Sequence, residues 1–285
     1  MSGAAAAKRV LLLGGHGKVS LFLTPLLLAR GWDVISVIRD PSQENDILKV
    51  NTVGHEGCSK PCGKVSVLIS SLEDVKQPQD ADHIIKLTHP DYIVWSAGAG
   101  GKGGFDRTYA IDQDAAKNFI QAGMSNPSVS KFLLISHLGS RRKPAPWWSD
   151  KDWDKIQKIN STLPHYYKAK LEADEFFAHL YLLRTSKDPK FQAINLRPTY
   201  LSDEPATKKV EVGRTSASGP SVSREDVAIV ADRLLARSDT RGYYDLVDGD
   251  TPVDEAVELA AKANADALEG EDITAIHERF TNVTL

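Results

Sequence analysis

The stretch VLLLGGHGKVSLFL, residues 10–23, decides how the rest of the chain is read. Four apolar residues in a row, 10–13, fit a short strand buried on both faces of a parallel sheet. Three glycines within four positions follow, at Gly14, Gly15 and Gly17, and then an apolar, helix-like run from 18 to 30. Gly31 ends that run, and 34–38 resumes as a β-branched strand. Pro25 lies inside the expected helix, where it removes one backbone hydrogen bond and favours a kink. Strand, glycine loop, helix, strand is the opening of a doubly wound α/β fold.

The alternation continues outward. Strands are expected at 65–69, 92–96, 132–135 and 193–196, and helices at 81–87, 108–123 and 166–184. The order implies right-handed crossovers and a parallel sheet covered on both faces. Further on, Ser223 with Asp226 three residues later opens the helix SREDVAIVADRLLA in a capping-box pattern. A late strand is expected at 243–247, with helices over 253–265 and 273–280. The segments 51–64, 140–160 and 201–222 read as irregular and are long for plain connections, which points to functional or lid roles. The expected organisation is one Rossmann-type domain over residues 1–285, with 198–285 forming a small C-terminal substrate lobe.

Composition narrows the function classes. The 285 residues are 41% hydrophobic and 26% charged, with 35 basic against 38 acidic side chains. That balance gives no electrostatic case for nucleic acid or an anionic membrane surface. No apolar run approaches the roughly 20 residues that span a bilayer. The expected setting is cytoplasmic, as a monomer or homodimer acting on a small molecule. The two cysteines, Cys58 and Cys62, cannot make a disulfide framework. With His55 their spacing suits a zinc site poorly, so no metal is expected.

The glycine loop sits where a dinucleotide-binding loop must sit. Gly14 permits the tight turn, and Gly17 lets backbone N–H groups approach a pyrophosphate. The helix N-terminus, with Gly15, His16, Lys18 and Val19 around it, supplies partial positive charge. The third small position is Ser20 rather than glycine or alanine. At the end of the second strand VISVIRD places Arg39, which suits the 2′-phosphate of NADP(H) better than the ribose hydroxyl of NAD. Ser71 and Leu72 after the third strand, and Ala97, Gly98 and Ala99 after the fourth, are expected to flank the adenine and ribose.

Tyr166 and Lys170 lie four residues apart on the strongest helix, hence on one face. An ammonium beside a phenol lowers its pKa from about 10 and suits it to proton transfer. The lysine could also hold the nicotinamide ribose.

GGHGKVS (14–20), Arg39, SAGAGG (96–101), ISHLGS (135–140), YYKAK (166–170), NLRP (195–198) and SREDVA (223–228) together resemble the atypical short-chain dehydrogenase/reductases. The nearest likeness is to the NAD(P)-binding subgroup similar to flavin/biliverdin-IXβ reductases and nitrogen-metabolite-repression regulators. WSAGAGGKGG (95–104) and PWWSDKDW (146–153) are similar to its fungal members. The resemblance implies a Rossmann fold and NADP(H), without implying a substrate. Two departures stand out. Ser136 and His137 occupy the place of a pair of hydroxyl residues, so that Ser136, Ser140 or His137 would orient a substrate carbonyl. Arg197-Pro198-Thr199 carries threonine where many relatives have glycine, putting Pro198 and Thr199 near the carboxamide site.

Trp147, Trp148 and Trp153 read either as a wall over a planar substrate or as loop packing. Arg141-Arg142-Lys143 reads as a solvated loop or a contact to an anionic substrate. The main expectation is an NADP(H)-dependent oxidoreductase acting on a small, aromatic or planar, carbonyl-like substrate. The alternatives are a non-catalytic NADP(H)-sensing regulator with a protein partner, and a nucleotide-sugar epimerase or dehydratase.

Overall fold

The computed structural model describes residues 7–53, 63–100 and 103–285. Six parallel strands form the centre: β1 (Arg9–Leu13), β2 (Asp33–Ile38), β3 (Val65–Ile69), β4 (Tyr92–Trp95), β5 (Lys131–Ile135) and β6 (Gln192–Pro198). After β6 come β7 (Leu201–Ser202), β8 (Lys209–Gly213), β9 (Val222–Ser223), β10 (Gly242–Asp248) and β11 (Thr251–Pro252). The main sheet runs β11-β8-β10-β6-β5-β4-β1-β2-β3, and β7 pairs separately with β9. Strand β10 is parallel to β6, while β8 and β11 close that edge antiparallel. The chain reverses its direction of winding between β1 and β4. That is where an open α/β sheet leaves a crevice at its strand C-termini.

Alternation along the strands builds both faces. Leu11, Leu13, Ile93, Trp95, Phe132 and Leu134 point into one core, under α3 (Pro78–Thr88), α5 (Ala116–Ser125) and α7 (Pro164–Lys187). Val10, Leu12, Val94, Leu133 and Ile135 point into the other, under α1 (Lys18–Ala29), α8 (Arg224–Ala236) and α9 (Val253–Lys262). This explains the continuous apolar strands: a residue turned either way meets a helix layer. Pro25 does not end α1.

The segment from 198 onward, expected as a small lobe, supplies β8, β10 and β11 to the central sheet and α8 and α9 to its second face. Two of the segments read as irregular carry regular structure. Residues 140–160 hold most of α6 (Asp150–Thr162), opened by a capping box in which Ser149 accepts from the Asp152 N–H and Asp152 accepts from the Ser149 N–H. Residues 201–222 hold β7 and β8. The third includes the end of α2 (Glu44–Val53), and His55, Cys58 and Cys62 lie outside the described residues. The helix expected over 108–123 is interrupted: α4 (Gly104–Thr108) and α5 flank a π-helical turn, Tyr109–Ala115. The last helix, α10, spans Ile273–Arg279.

Candidate functional site

Gly14 has φ +83°, and a Cβ there would lie 2.7 Å from the Cα of Ala97. The turn after β1 and the loop after β4 therefore touch through their backbones, which only glycine permits. A Cβ on Gly15 would strike Ser36, and its N–H donates to the Val37 carbonyl at 2.9 Å. Gly15 thus fastens the loop to β2 and is not among the residues lining the cleft. Gly17 is the N-cap of α1, with no side-chain cap and no acidic residue in the first turn. The positive end of α1 is left unneutralised by its own side chains, as an anion site requires.

A cleft of about 640 Å³ opens here. Gly14, His16, Gly17, Lys18, Val19, Arg39, Ser71, Leu72, Ala97, Gly98 and Ala99 all line it, so eleven of the expected cofactor residues share one cavity. The backbone cradle at Gly14, the bare helix terminus and the cationic rim of Lys18, Arg39 and Arg224 fit a dinucleotide phosphate chain. Lys18 and Arg224 both donate to Asp203, at 2.5 and 2.6 Å, across one end of the cleft. His16 Nε2 lies 3.2 Å from an Asp46 carboxylate oxygen.

A second group, Ser136, His137, Tyr166, Lys170, Pro198 and Thr199, is not among the residues lining this cleft. Tyr166 is half-buried, and its ring centroid is 5.7 Å from that of His137. Lys170 is buried and donates from Nζ to the Ile135 carbonyl at 3.0 Å. The Pro198 carbonyl accepts from the Leu138 N–H at 3.0 Å, and the Thr199 N–H donates to Leu246 O at 2.9 Å. These two residues join the end of β6 to its neighbours and do not line the cleft described above.

Three expectations about chemistry change. Lys170 does not lower the Tyr166 pKa among the protein's own groups. Burial pushes the phenol well above its ordinary value, and the nearby Asp112 carboxylate adds to the rise. Lys170 itself is lowered by burial, with Asp112 and Asp174 opposing that. Second, the Ser136 hydroxyl is committed inward: it donates to the fully buried Asp174, which also receives Arg197. Third, His137 is pushed down to about 4, chiefly by burial and then by Lys170. Its ring bonds to the Pro198 carbonyl and Nε2 has no partner, so Nδ1 carries the proton. The ring is therefore a neutral imidazole near pH 7, and its Nε2 is an acceptor.

Asp112 is the residue that sequence reasoning missed. It is buried on the π-helical turn, and its Oδ2 accepts from the Ala99 N–H at 2.9 Å. It thus pins the loop after β4 in the cleft while its charge reaches Lys170 and Tyr166. Burial raises its own pKa, and Lys170 and then the Ala99 N–H counter that. A π-helical turn often marks a functional position. No local pattern in YAIDQDA announces one.

Trp147, Trp148 and Trp153 pack in one apolar cluster and are not among the residues lining the cleft. Trp147 and Trp148 both donate from Nε1 to the Thr215 carbonyl, at 3.0 and 2.9 Å. Both rings lie near the Arg141 guanidinium, with centroids 5.4 and 5.0 Å from its carbon. Arg141 is no solvated loop residue: it is buried against Asp245 and Glu271. Arg142 pairs with Glu175 but stays exposed, as does Lys143. Among the described residues no group of three or more His, Cys, Asp or Glu side chains is placed to hold a metal. No helix among them is long and apolar enough to cross a membrane.

Comparison with known proteins shows the family. Residues 63–238 match the NAD(P)H-binding family. The UPF0659 protein C216.03 of Schizosaccharomyces pombe is 33% identical over 250 residues, covering 86% of this chain and 91% of its own. A solved putative NAD-dependent epimerase/dehydratase from Bacillus halodurans superposes with a TM-score of 0.68 at 26% identity, over 89% of this chain and 100% of its own. ChuY, an anaerobillin reductase from Escherichia coli O157:H7, shares the fold, with a TM-score of 0.57 at 21% identity over 85% of this chain and 98% of its own. On the family match and these relatives, this chain belongs to the NAD(P)H-binding family, as an atypical short-chain dehydrogenase/reductase.

Proposed function

We propose that the protein is an NADP(H)-dependent oxidoreductase acting on a small carbonyl-like substrate. The observation that carries this is the pairing of Tyr166 and Lys170 on α7, linked through Asp112 to the cleft that Arg39 lines. When bound, the nicotinamide supplies or accepts hydride. The protein's part is to bind, orient and move a proton. Gly14, Gly17 and the α1 terminus would take the pyrophosphate, with Arg39 toward the 2′-phosphate. Pro198 and Thr199 would stand near the carboxamide. Tyr166, held protonated by its burial, is a donor to a developing alkoxide; a phenol raised in pKa gives up its proton only as that charge forms. Lys170, buried on the same face of α7, would hold the nicotinamide ribose, and Asp112 fixes the loop after β4. Ser136 is spent on Asp174, so carbonyl orientation falls to Tyr166.

The likeness to an epimerase/dehydratase favours a second reading, in which the cofactor is reduced and reoxidised within one turnover. One experiment addresses both. Purified protein is titrated with NADPH and NADH by calorimetry, beside Arg39→Ala, and then supplied with carbonyl, quinone, flavin and tetrapyrrole acceptors and with nucleotide sugars. NADPH preference lost in Arg39→Ala, with net NADPH consumption, is the expected result. Cofactor that copurifies, with redox-neutral conversion of a sugar, would replace it by the second reading. Binding without turnover on any of them would favour a sensor.

A further inference from the structure

The adenosine end of the cleft carries an anion of its own. Glu73 sits in the 3-10 turn Leu72–Asp74 after β3, where Ser71 Oγ accepts from its N–H at 3.3 Å. Its Oε1 accepts from Arg39 Nη1 at 3.1 Å and from Arg107 Nε at 2.8 Å. Arg107 comes from α4 and also donates from Nη1 to the Ala99 carbonyl at 3.2 Å. All three side chains line the same cleft. Two guanidinium groups from separate elements thus converge on a single oxygen, which is the donor geometry that a phosphate oxygen collects.

We propose that Glu73 is an internal occupant of the 2′-phosphate site and sets how strongly the protein discriminates NADP(H) from NAD(H). This deepens the NADP(H) reading and rests on it. Glu73 and Arg39 are 37% and 53% exposed, so their bond is a surface ion pair, worth little and readily exchanged. A phosphomonoester brings up to two negative charges and three acceptor oxygens to the same donors, against one charge from the carboxylate. It would take over the guanidinium bonds and leave Glu73 beside it as a repelling charge. A nucleotide ending in a 2′-hydroxyl meets no such contest and gains nothing from its removal. Glu73 is firmly ionised for this role, held below the usual carboxylate range first by the Arg107 hydrogen bond.

The test measures Kd for NADPH, NADH, 2′,5′-ADP and 5′-AMP in wild type, Glu73→Gln, Arg107→Ala and the double variant. Charge-assisted hydrogen bonds freed from competition predict about tenfold tighter NADPH and 2′,5′-ADP binding in Glu73→Gln. NADH and 5′-AMP should move less than about twofold on the same argument. The gain should shrink in the double variant, since Arg107 is one of the released donors. Unchanged or weaker 2′,5′-ADP binding in Glu73→Gln, or a loss confined to NADH, would overturn the proposal. If wild type prefers NADPH and Arg39→Ala abolishes that preference, such a result leaves the NADP(H) reading standing. Wild type that binds neither NADPH nor 2′,5′-ADP removes both.

Discussion

Asp112 accepts the Ala99 N–H at 2.9 Å, so a carboxylate from the π-helical turn holds the loop that the glycine turn of β1 presses against. The same carboxylate acts on Lys170 and Tyr166 from the other side. Asp112 is therefore the mechanical and electrostatic join between the cleft and the tyrosine. Asp112→Ala would orphan a buried N–H and leave Lys170 with one fewer counter-charge. It should cost about 1–3 kcal/mol of stability in urea titration and weaken cofactor binding. Asp112→Asn keeps an acceptor for Ala99 and should recover most of that stability, while lowering the apparent pKa in the pH–rate profile.

Ser136→Ala separates a structural serine from a catalytic one. Its hydroxyl serves Asp174, which is buried with Arg197 and whose backbone carbonyl accepts from the Tyr243 hydroxyl at 2.8 Å. Loss of that donor should destabilise the fold by about 1–3 kcal/mol, read as a fall in Tm. Turnover per folded molecule should stay within a few-fold of wild type. A hundredfold loss of turnover at unchanged Tm would return Ser136 to the chemistry.

His137 gives a pH signature. Its folded pKa is about 4 against an ordinary 6.5, a depressed value. The unfolded chain therefore takes up the proton first, and stability is lost as pH falls from about 6.5 toward 4. A shift of that size corresponds to a few kcal/mol at most. His137→Gln should flatten this limb in thermal unfolding between pH 7 and 4. Equal pH dependence in variant and wild type would show that the ring titrates normally.

Asp245 has the opposite sign. Burial pushes its carboxyl up to about 6 from 3.8, even with Arg141 and Arg197 opposing. The folded state holds that proton longer than the unfolded one. Its contribution is present below about pH 4 and is lost as pH rises through 6. Glu271, which shares Arg141 with Asp245, adds a smaller upward push to that of burial. Asp245→Asn mimics the protonated acid, so the variant's Tm should gain on wild type by the equivalent of about 2–3 kcal/mol from pH 4 to pH 7. A constant difference across that range would contradict the assignment.

The sequence by itself determined the central strands, the glycine turn and most residues that line the cleft. These rest on local chemistry: an apolar run long enough for one strand, glycines where backbones touch, and an arginine at a strand end. Ser223 announced α8 by its cap, and Ser149 offered the same S-x-x-D signal for α6, unread because its segment is rich in charge and tryptophan. The tertiary structure alone decided what the polar side chains do. Arg141 looked solvated, yet it is buried because Asp245 and Glu271 arrive from strands and turns more than a hundred residues away. Ser136 looked catalytic until α7 brought Asp174 to it. Spacing put Tyr166 and Lys170 on one helix face, but the direction of the tyrosine's pKa depended on burial and on Asp112, neither of which spacing encodes. Position along a strand or helix is written locally; the partner of a charge is set by where distant elements pack.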